Sequence, residues 1–305
     1  MTPPAIVDFI KAMDRAGMPP VEPVAQTLAE GRLVRFKSAD DRRRNGWAVF
    51  FAGERPAGVF GNYRLGLRQT WRAGGESSPL TLSERKALRA KRREAEAERQ
   101  RLAAAASNKA RAIFGSASPA SDTHPYLVGK QLQPFGIRQK DCQLVIPMVD
   151  GDYQLWNLQL ITEDGSKRFL PKARTTGVFW AHHLRSRDGS LTKGPLVLAE
   201  GYGTAAACHE ATGWAVVAAM SVQNLSVVAQ SLRLLSASLP VIIAADWDGA
   251  PDGGLGTETA RRVAAVVNAR LALPLPTGQP TIGKLDFADL SRADAATLLH
   301  NALHS

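Results

Sequence analysis

Three carboxylates stand immediately beyond short, uncharged apolar runs. Glu200 follows Leu196-Val197-Leu198-Ala199, and Asp246 and Asp248 follow the apolar residues 241–245. An acid leaving a buried strand is costly unless it is paired or binds a cation, and three converging acids repel one another without a counter-ion. Mg²⁺ resolves that conflict, because a small hard cation takes oxygen ligands. Asp246 and Asp248, two apart at a strand's exit, can turn toward one site, while Gly201 and Gly203 let the backbone pass close to a metal and to phosphates. Taken singly, each acid also reads as a helix N-cap or a loop residue. Their order and spacing together favour the metal site.

The elements that must hold these acids come from the last third of the chain. Residues 196–199, 215–219 and 241–245 are expected strands, alternating with helices expected over about 204–211, 222–236 and 257–271. Runs so short and bare of charge suit strands buried on both faces of a parallel sheet, and in open α/β sheets ligands bind beyond the carboxyl ends of the strands. The acids therefore fall where a ligand is expected.

Four segments are expected: a small N-terminal α+β domain over 1–75, a basic helical connector over 76–115, a mixed α+β subdomain over 116–193, and an α/β domain over 194–305. The first opens with a helix over 6–13 and continues in short strands at 33–36, 47–51 and 57–61, with a turn at Asn45-Gly46. Arg42, Arg43 and Arg44 beside that turn can meet phosphates or simply decorate an exposed hairpin tip. From Thr81 to Phe114 there is no Gly or Pro, and Thr81-Leu82-Ser83-Glu84 fits a capping box. The stretch from Thr81 to Arg111 holds ten basic and four acidic residues, which reads as a solvated connector whose last turns, Ala110, Ile113 and Phe114, dock on the next domain. Further strands are expected at 144–148 and 153–161, with a turn at Glu163-Asp164-Gly165 leading into Lys167-Arg168-Phe169-Leu170.

Charge is unevenly spread along the 305 residues. The formal net charge is +10, yet residues 196–305 carry −3, which leaves +13 on residues 1–195. A basic front leading into an acidic site suits an enzyme that processes polyanions, and it equally describes a merely basic surface. Hydrophobic residues at 45% exclude a disordered or fibrous chain. Cys142 and Cys208 are far apart and outside any C-x-x-C spacing, so no zinc is expected and both thiols are expected reduced and buried. No apolar run approaches the roughly 20 residues needed to span a bilayer, and the N-terminus lacks a basic-then-apolar signal pattern. A cytoplasmic protein without a membrane partner is expected.

The segment Leu196-Val197-Leu198-Ala199-Glu200-Gly201-Tyr202-Gly203-Thr204-Ala205, followed about 45 residues later by Asp246-Trp247-Asp248-Gly249, resembles the Toprim signature of bacterial primases, topoisomerases and some nucleases. The Glu-Gly-Tyr form points toward primases. Upstream, His124-Pro125-Tyr126-Leu127 with Lys130, the run 144–148 and Lys167-Arg168-Phe169-Leu170-Pro171 resemble the subdomain that precedes Toprim in those enzymes. Gly58-Val59-Phe60-Gly61 and Lys284-Leu285-Asp286-Phe287-Ala288-Asp289-Leu290 match primase-like proteins of conjugative plasmids, integrative elements and phages. The sequence departs from replicative primases in having Thr204 where they usually have Asp, in lacking an Arg near Gln159, and in lacking their zinc-binding domain. No Walker A motif is visible, so the chain is not itself a helicase.

The resemblance implies that Glu200, Asp246 and Asp248 are catalytic and hold Mg²⁺, with Mn²⁺ as a substitute. Asp286 and Asp289 are candidates for further metal ligands or, equally, for N-caps. Lys130, Lys167 and Arg168 are expected to face template or nucleotide, with Arg138, Lys172 and Arg174 grouped with them. The implied function is a DNA primase that uses nucleoside triphosphates on single-stranded DNA, with a separate replicative helicase as a further partner. Two alternatives stand beside it: a Toprim nuclease, and a single-stranded DNA-binding protein with a vestigial site. In the last, Trp47, Phe50 and Phe51 can stack bases or fill a core.

Overall fold

A computed structural model describes residues 3–28, 31–39, 41–53, 55–74, 82–186, 188–249, 254–275 and 283–304. The chain forms two compact units, Met1–Arg89 and Ala90–Ser305. In the first, α1 (Pro4–Arg15) packs on an antiparallel sheet of β1 (Val34–Phe36), β2 (Gly46–Phe51), β3 (Ala57–Asn62) and β4 (Leu67–Arg72), in that order. Phe9 and Met13 of α1 meet Phe36, Phe50 and Phe60, one in two along each strand, as the period of an extended chain requires. Phe50 is therefore core, whereas Phe51 is exposed. Gly46 lies in β2 rather than in the expected turn. The Phe36 ring occupies the space where a Cβ would project, with atoms as near as 2.4 Å. The strand β4 escapes sequence reading because its side chains are mostly exposed and show no alternation.

The helix α2 (Leu82–Ser116), whose residues from Ala90 belong to the second unit, follows the long uninterrupted stretch. Thr81, the N-cap of the capping box read at Thr81-Leu82-Ser83-Glu84, lies outside the described residues. Ala110, Ile113 and Phe114 pack with Val145, Leu158 and Leu170, so the last turns dock on the sheet that follows. That sheet is antiparallel, formed in order by β5 (Ser118–Pro119), β6 (Arg138–Lys140), β7 (Gln143–Val149), β8 (Leu155–Thr162) and β9 (Lys167–Phe169), with the short helix α3 (Pro125–Lys130) beside it. Cys208 is buried as expected, but Cys142 is exposed. It sits in the tight β6–β7 connection, where the left-handed Asp141 turns the chain at the surface.

The third sheet contains β10 (Trp180–His182), β11 (Leu196–Ala199), β12 (Ala215–Ala218), β13 (Val241–Ala244) and β14 (Arg270–Ala272), ordered β10-β12-β11-β13-β14. The last four are parallel neighbours, and β10 adds an antiparallel edge. The helices are α4 (Tyr202–Thr212), α5 (Val222–Leu235), α6 (Gly254–Val266) and α7 (Arg292–His304). Alternate strand residues serve opposite faces. Val197, Ala199, Val216, Ala218, Ile242 and Ala244 meet α4 and α7, and Leu196, Leu198, Val217, Val241 and Ile243 meet α5 and α6. This two-sided burial explains why the strands read as unbroken apolar runs.

The helix expected over 257–271 ends at Val266, and its last residues form β14 instead. Asn268 takes a left-handed conformation (φ 49°), which stops the helix, and Leu271 and Ala272 then pair with Ile243 and Ala244. Among the described residues no helix is long and apolar enough to cross a membrane.

Candidate active site

Because β11 and β13 are neighbouring parallel strands with Ala199 level with Ala244, the chain leaves both at the same edge. Glu200 and Asp246 therefore emerge side by side. They line one cavity of about 130 Å³ together with Tyr126, Gln159, Lys167, Thr204 and Asp286. Burial, reinforced by the charges of Asp246 and Asp248, pushes the Glu200 carboxyl up to about 7. Burial followed by the neighbouring Asp286 pushes Asp246 up to about 6, despite a 3.0 Å hydrogen bond from the Thr204 hydroxyl. Thr204 lies in the first turn of α4, which begins two residues after Glu200.

Glu200 is not the N-cap of α4, but its carboxylate accepts from the Val222 backbone at the start of α5, and Asp248 Oδ2 accepts from Gly256 N in the first turn of α6 at 3.4 Å. The N-cap of α4 is Gly201, in extended conformation, with open space around the position of a Cβ. Gly203 lines the same cavity, and a Cβ there would stand 2.9 Å from the Tyr126 hydroxyl.

The segment 283–290 reaches this site through a two-way backbone bridge. Trp247 N donates to Leu285 O at 2.8 Å, and Leu285 N donates to Trp247 O at 2.9 Å. That bridge sets Lys284 Nζ 2.7 Å from Asp248 Oδ1 and brings Asp286 into the cavity. Asp286 and Asp289 form a capping box on the turn Phe287–Asp289, and both accept from Lys130 Nζ, at 3.0 and 2.7 Å. Gly249 (φ 78°) lies against the backbone of Gly283, 2.8 Å from where a Cβ would stand. Gly249→Ala combines left-handed strain with overpacking, and is expected to cost about 2 kcal/mol, read as a lower urea midpoint.

The remaining basic residues are spread over different tasks. Lys167 lines the cavity, with its ammonium 5.5 Å from the Tyr126 ring centre. Arg168 is exposed and donates to Gln143 at 3.1 Å. Arg138 stacks over Phe114 and donates to the Phe114 carbonyl at 2.7 Å, which closes the C-terminal end of α2. Arg174 lies over Trp156 and donates to Thr176 O at 2.8 Å. Lys172 is exposed, in left-handed conformation. Arg138→Ala is expected to lower stability by about 2 kcal/mol through lost bonds to the helix end, measured by urea unfolding.

The donor set suits a hard divalent cation. Its ligands are carboxylate oxygens, and two of them are held in the protonation-prone state that accompanies an unneutralised cluster of negative charge. Lys167 offsets this only weakly.

Residues 195–296 match the family model of the Toprim domain, a domain that typically works with a divalent metal. The chain is 32% identical over 252 residues to a DNA primase TraC of Escherichia coli, covering 79% of this chain and 23% of that protein. A second Escherichia coli DNA primase TraC is 31% identical over 242 residues, covering 76% of this chain and 16% of that protein. The chain thus spans less than a quarter of the length of these curated relatives. Among solved structures, the primase fragment of the bacteriophage T7 primase-helicase protein overlays with a TM-score of 0.44 at 12% identity, over 62% of this chain and 77% of that one. The RNA polymerase domain of Mycobacterium tuberculosis primase DnaG, in complex with double-stranded DNA, gives a TM-score of 0.43 at 18% identity, over 67% and 82%.

Proposed function

We propose that this chain, a Toprim-domain relative of the TraC DNA primases, is a Mg²⁺-dependent primase that joins nucleoside triphosphates into short primers on single-stranded DNA. One observation carries the reading. Two half-buried carboxylates, Glu200 and Asp246, the first repelled by the second, share a cavity with Lys167, Gln159 and Tyr126. Carboxylates fit a metal and an ammonium fits phosphate, and nucleotidyl transfer needs both within reach of one α-phosphate.

Glu200, Asp246 and Asp248 would hold the ion, and Asp286 lines the same cavity as Glu200 and Asp246. When bound, Mg²⁺ or Mn²⁺ supplies positive charge opposite the negative charge that develops as a 3′-hydroxyl attacks the α-phosphorus and pyrophosphate departs. Thr204 fixes the orientation of Asp246 through its hydroxyl. As the alternative to ligation, Glu200 would serve as general base and accept the proton of the attacking hydroxyl. Lys167 and Arg168 face the triphosphate and the template. Gln159 Oε1 is buried without a hydrogen-bond partner among the described residues, so it is free to accept from a donor on the nucleotide or a bound water. Lys130 supports Asp286 and Asp289 from behind. Arg138, Lys172 and Arg174 belong to the nearby basic surface, and the +13 on residues 1–195 supplies the general attraction to a polyanion.

The test is incorporation of labelled nucleoside triphosphates on several single-stranded templates, with Mg²⁺ or Mn²⁺. Short products that require both template and ion support the reading, and adding a replicative helicase tests that partnership in the same assay. Degradation of labelled DNA without incorporation assigns nuclease chemistry instead. DNA binding that neither ion nor acid substitution alters, with no products, assigns a binding protein.

A further inference from the structure

We propose that His182, His183 and His209 form a second metal site, built only from imidazoles and suited to Zn²⁺ and its neighbours among the divalent transition ions. One ring nitrogen from each lies within 4.8 Å of the others, the one such trio of potential ligating side chains among the described residues. The rings of His182 and His183 stack at 4.2 Å, and His209 meets both edge-on at 4.6 and 4.8 Å. An ion with Zn–N bonds of about 2.0–2.1 Å brings tetrahedral nitrogens to roughly 3.3 Å apart, so modest side-chain rotation closes the set.

Two further features favour ligation over incidental stacking. Successive residues of a strand normally point to opposite faces. Here the left-handed backbone of His183 (φ 56°) turns its ring back onto the side of His182, a conformation that non-glycine residues keep only where something holds it. The Nδ1 of His209 sits 2.7 Å from the Trp214 carbonyl. Nδ1 therefore carries the hydrogen, and Nε2 keeps a free lone pair, the arrangement that supports metal-bound imidazoles generally.

The surroundings suit an ion with an open position. Phe135 packs against His182 and His209, walling one side with apolar surface. A cavity of about 500 Å³ opens beside His183, bounded also by Arg185, Thr192 and Trp214, and gives a water or small ligand access. Imidazole nitrogen selects Zn²⁺ over Mg²⁺, while carboxylate oxygen favours the reverse, so this site and the acid cluster take different ions. Zn²⁺ here would tie the end of the edge strand β10 to the last turn of α4, the helix that starts beside Glu200.

The test uses the full chain, stripped by chelation and equilibrated with Zn²⁺ in excess Mg²⁺. Wild type and Asp246→Asn plus Asp248→Asn are expected to bind one Zn²⁺ with equal affinity. His183→Gln, at an exposed position, and His182→Gln are each expected to weaken binding at least about 100-fold, because losing a supporting partner alone costs about 10–100-fold. Co²⁺ in place of Zn²⁺ should give visible absorption that His183→Gln abolishes. Zn²⁺ should raise the thermal midpoint of wild type but not of that variant. Equal Zn²⁺ binding by wild type and both histidine variants, or displacement of Zn²⁺ by Mg²⁺, overturns the proposal. Neither result bears on primer synthesis, which these readouts do not use.

Discussion

Asp246→Asn combined with Asp248→Asn is expected to reduce Mg²⁺-dependent nucleotide incorporation by about 10³-fold or more, because several kcal/mol of transition-state charge stabilisation depends on the bound ion. The substitution removes two negative charges while keeping nearly the same shape. The amide oxygen at position 246 still accepts from Thr204, and that at position 248 still accepts from Lys284. The fold should therefore survive, and relief of the repulsion around Glu200 should leave the metal-free protein no less stable. Circular dichroism and the urea midpoint check that condition before incorporation is compared. A double variant that folds normally and incorporates nucleotides at the wild-type rate would remove the acids from the chemistry.

A pH-dependent loss of stability in the metal-free protein, reversed by Mg²⁺, is the second large effect expected. Glu200 is raised from 4.5 to about 7, and Asp246 from 3.8 to about 6, in both cases chiefly by burial. Below the unfolded values both states are protonated, and the contribution to stability is fully present. As pH rises through about 4.5 to 7, the unfolded chain releases protons that the folded chain still holds, so stability falls with pH. For Glu200 alone the loss is about 3 kcal/mol. Above that window Mg²⁺ takes the place of the protons, and at 100 times its dissociation constant it returns about 2.7 kcal/mol. Urea unfolding of chelator-treated wild type and Glu200→Gln at pH 5 and pH 8, with and without Mg²⁺, isolates the effect from other titrating groups. Parallel curves for the two proteins would contradict it.

The alternating strands and helices of the last third were legible because burial on both faces of a sheet leaves a local record. A strand such as Val241–Ala244 must be apolar at every position, and the first charged residue after it marks the sheet's edge. Glu200, Asp246 and Asp248 could be read from that record alone, with no knowledge of what they face. The docking turns of α2 and the core phenylalanines of the first unit left the same kind of trace.

Pairings between distant segments leave no such trace. Nothing local in the sequence joins Lys284 to Asp248, 36 residues away, or Lys130 to Asp286, 156 residues away. The short edge strands β10 and β14 form because a neighbouring strand offers hydrogen bonds, so their three residues each carried too little periodicity to read. Nor does anything local join Arg138 to the carbonyl of Phe114 at the end of α2, 24 residues away. The histidine cluster depends on the same fact: His209 lies 26 residues beyond His183, and only the packing of α4 near the end of β10, with the left-handed turn at His183, brings the three rings together. Residue type and spacing therefore determined the alternating strands and helices from Leu196 to Val266 and the acids that follow the strands, since both follow from burial along one strand. Tertiary structure decided their partners and the second cluster, since those follow from which distant surfaces meet.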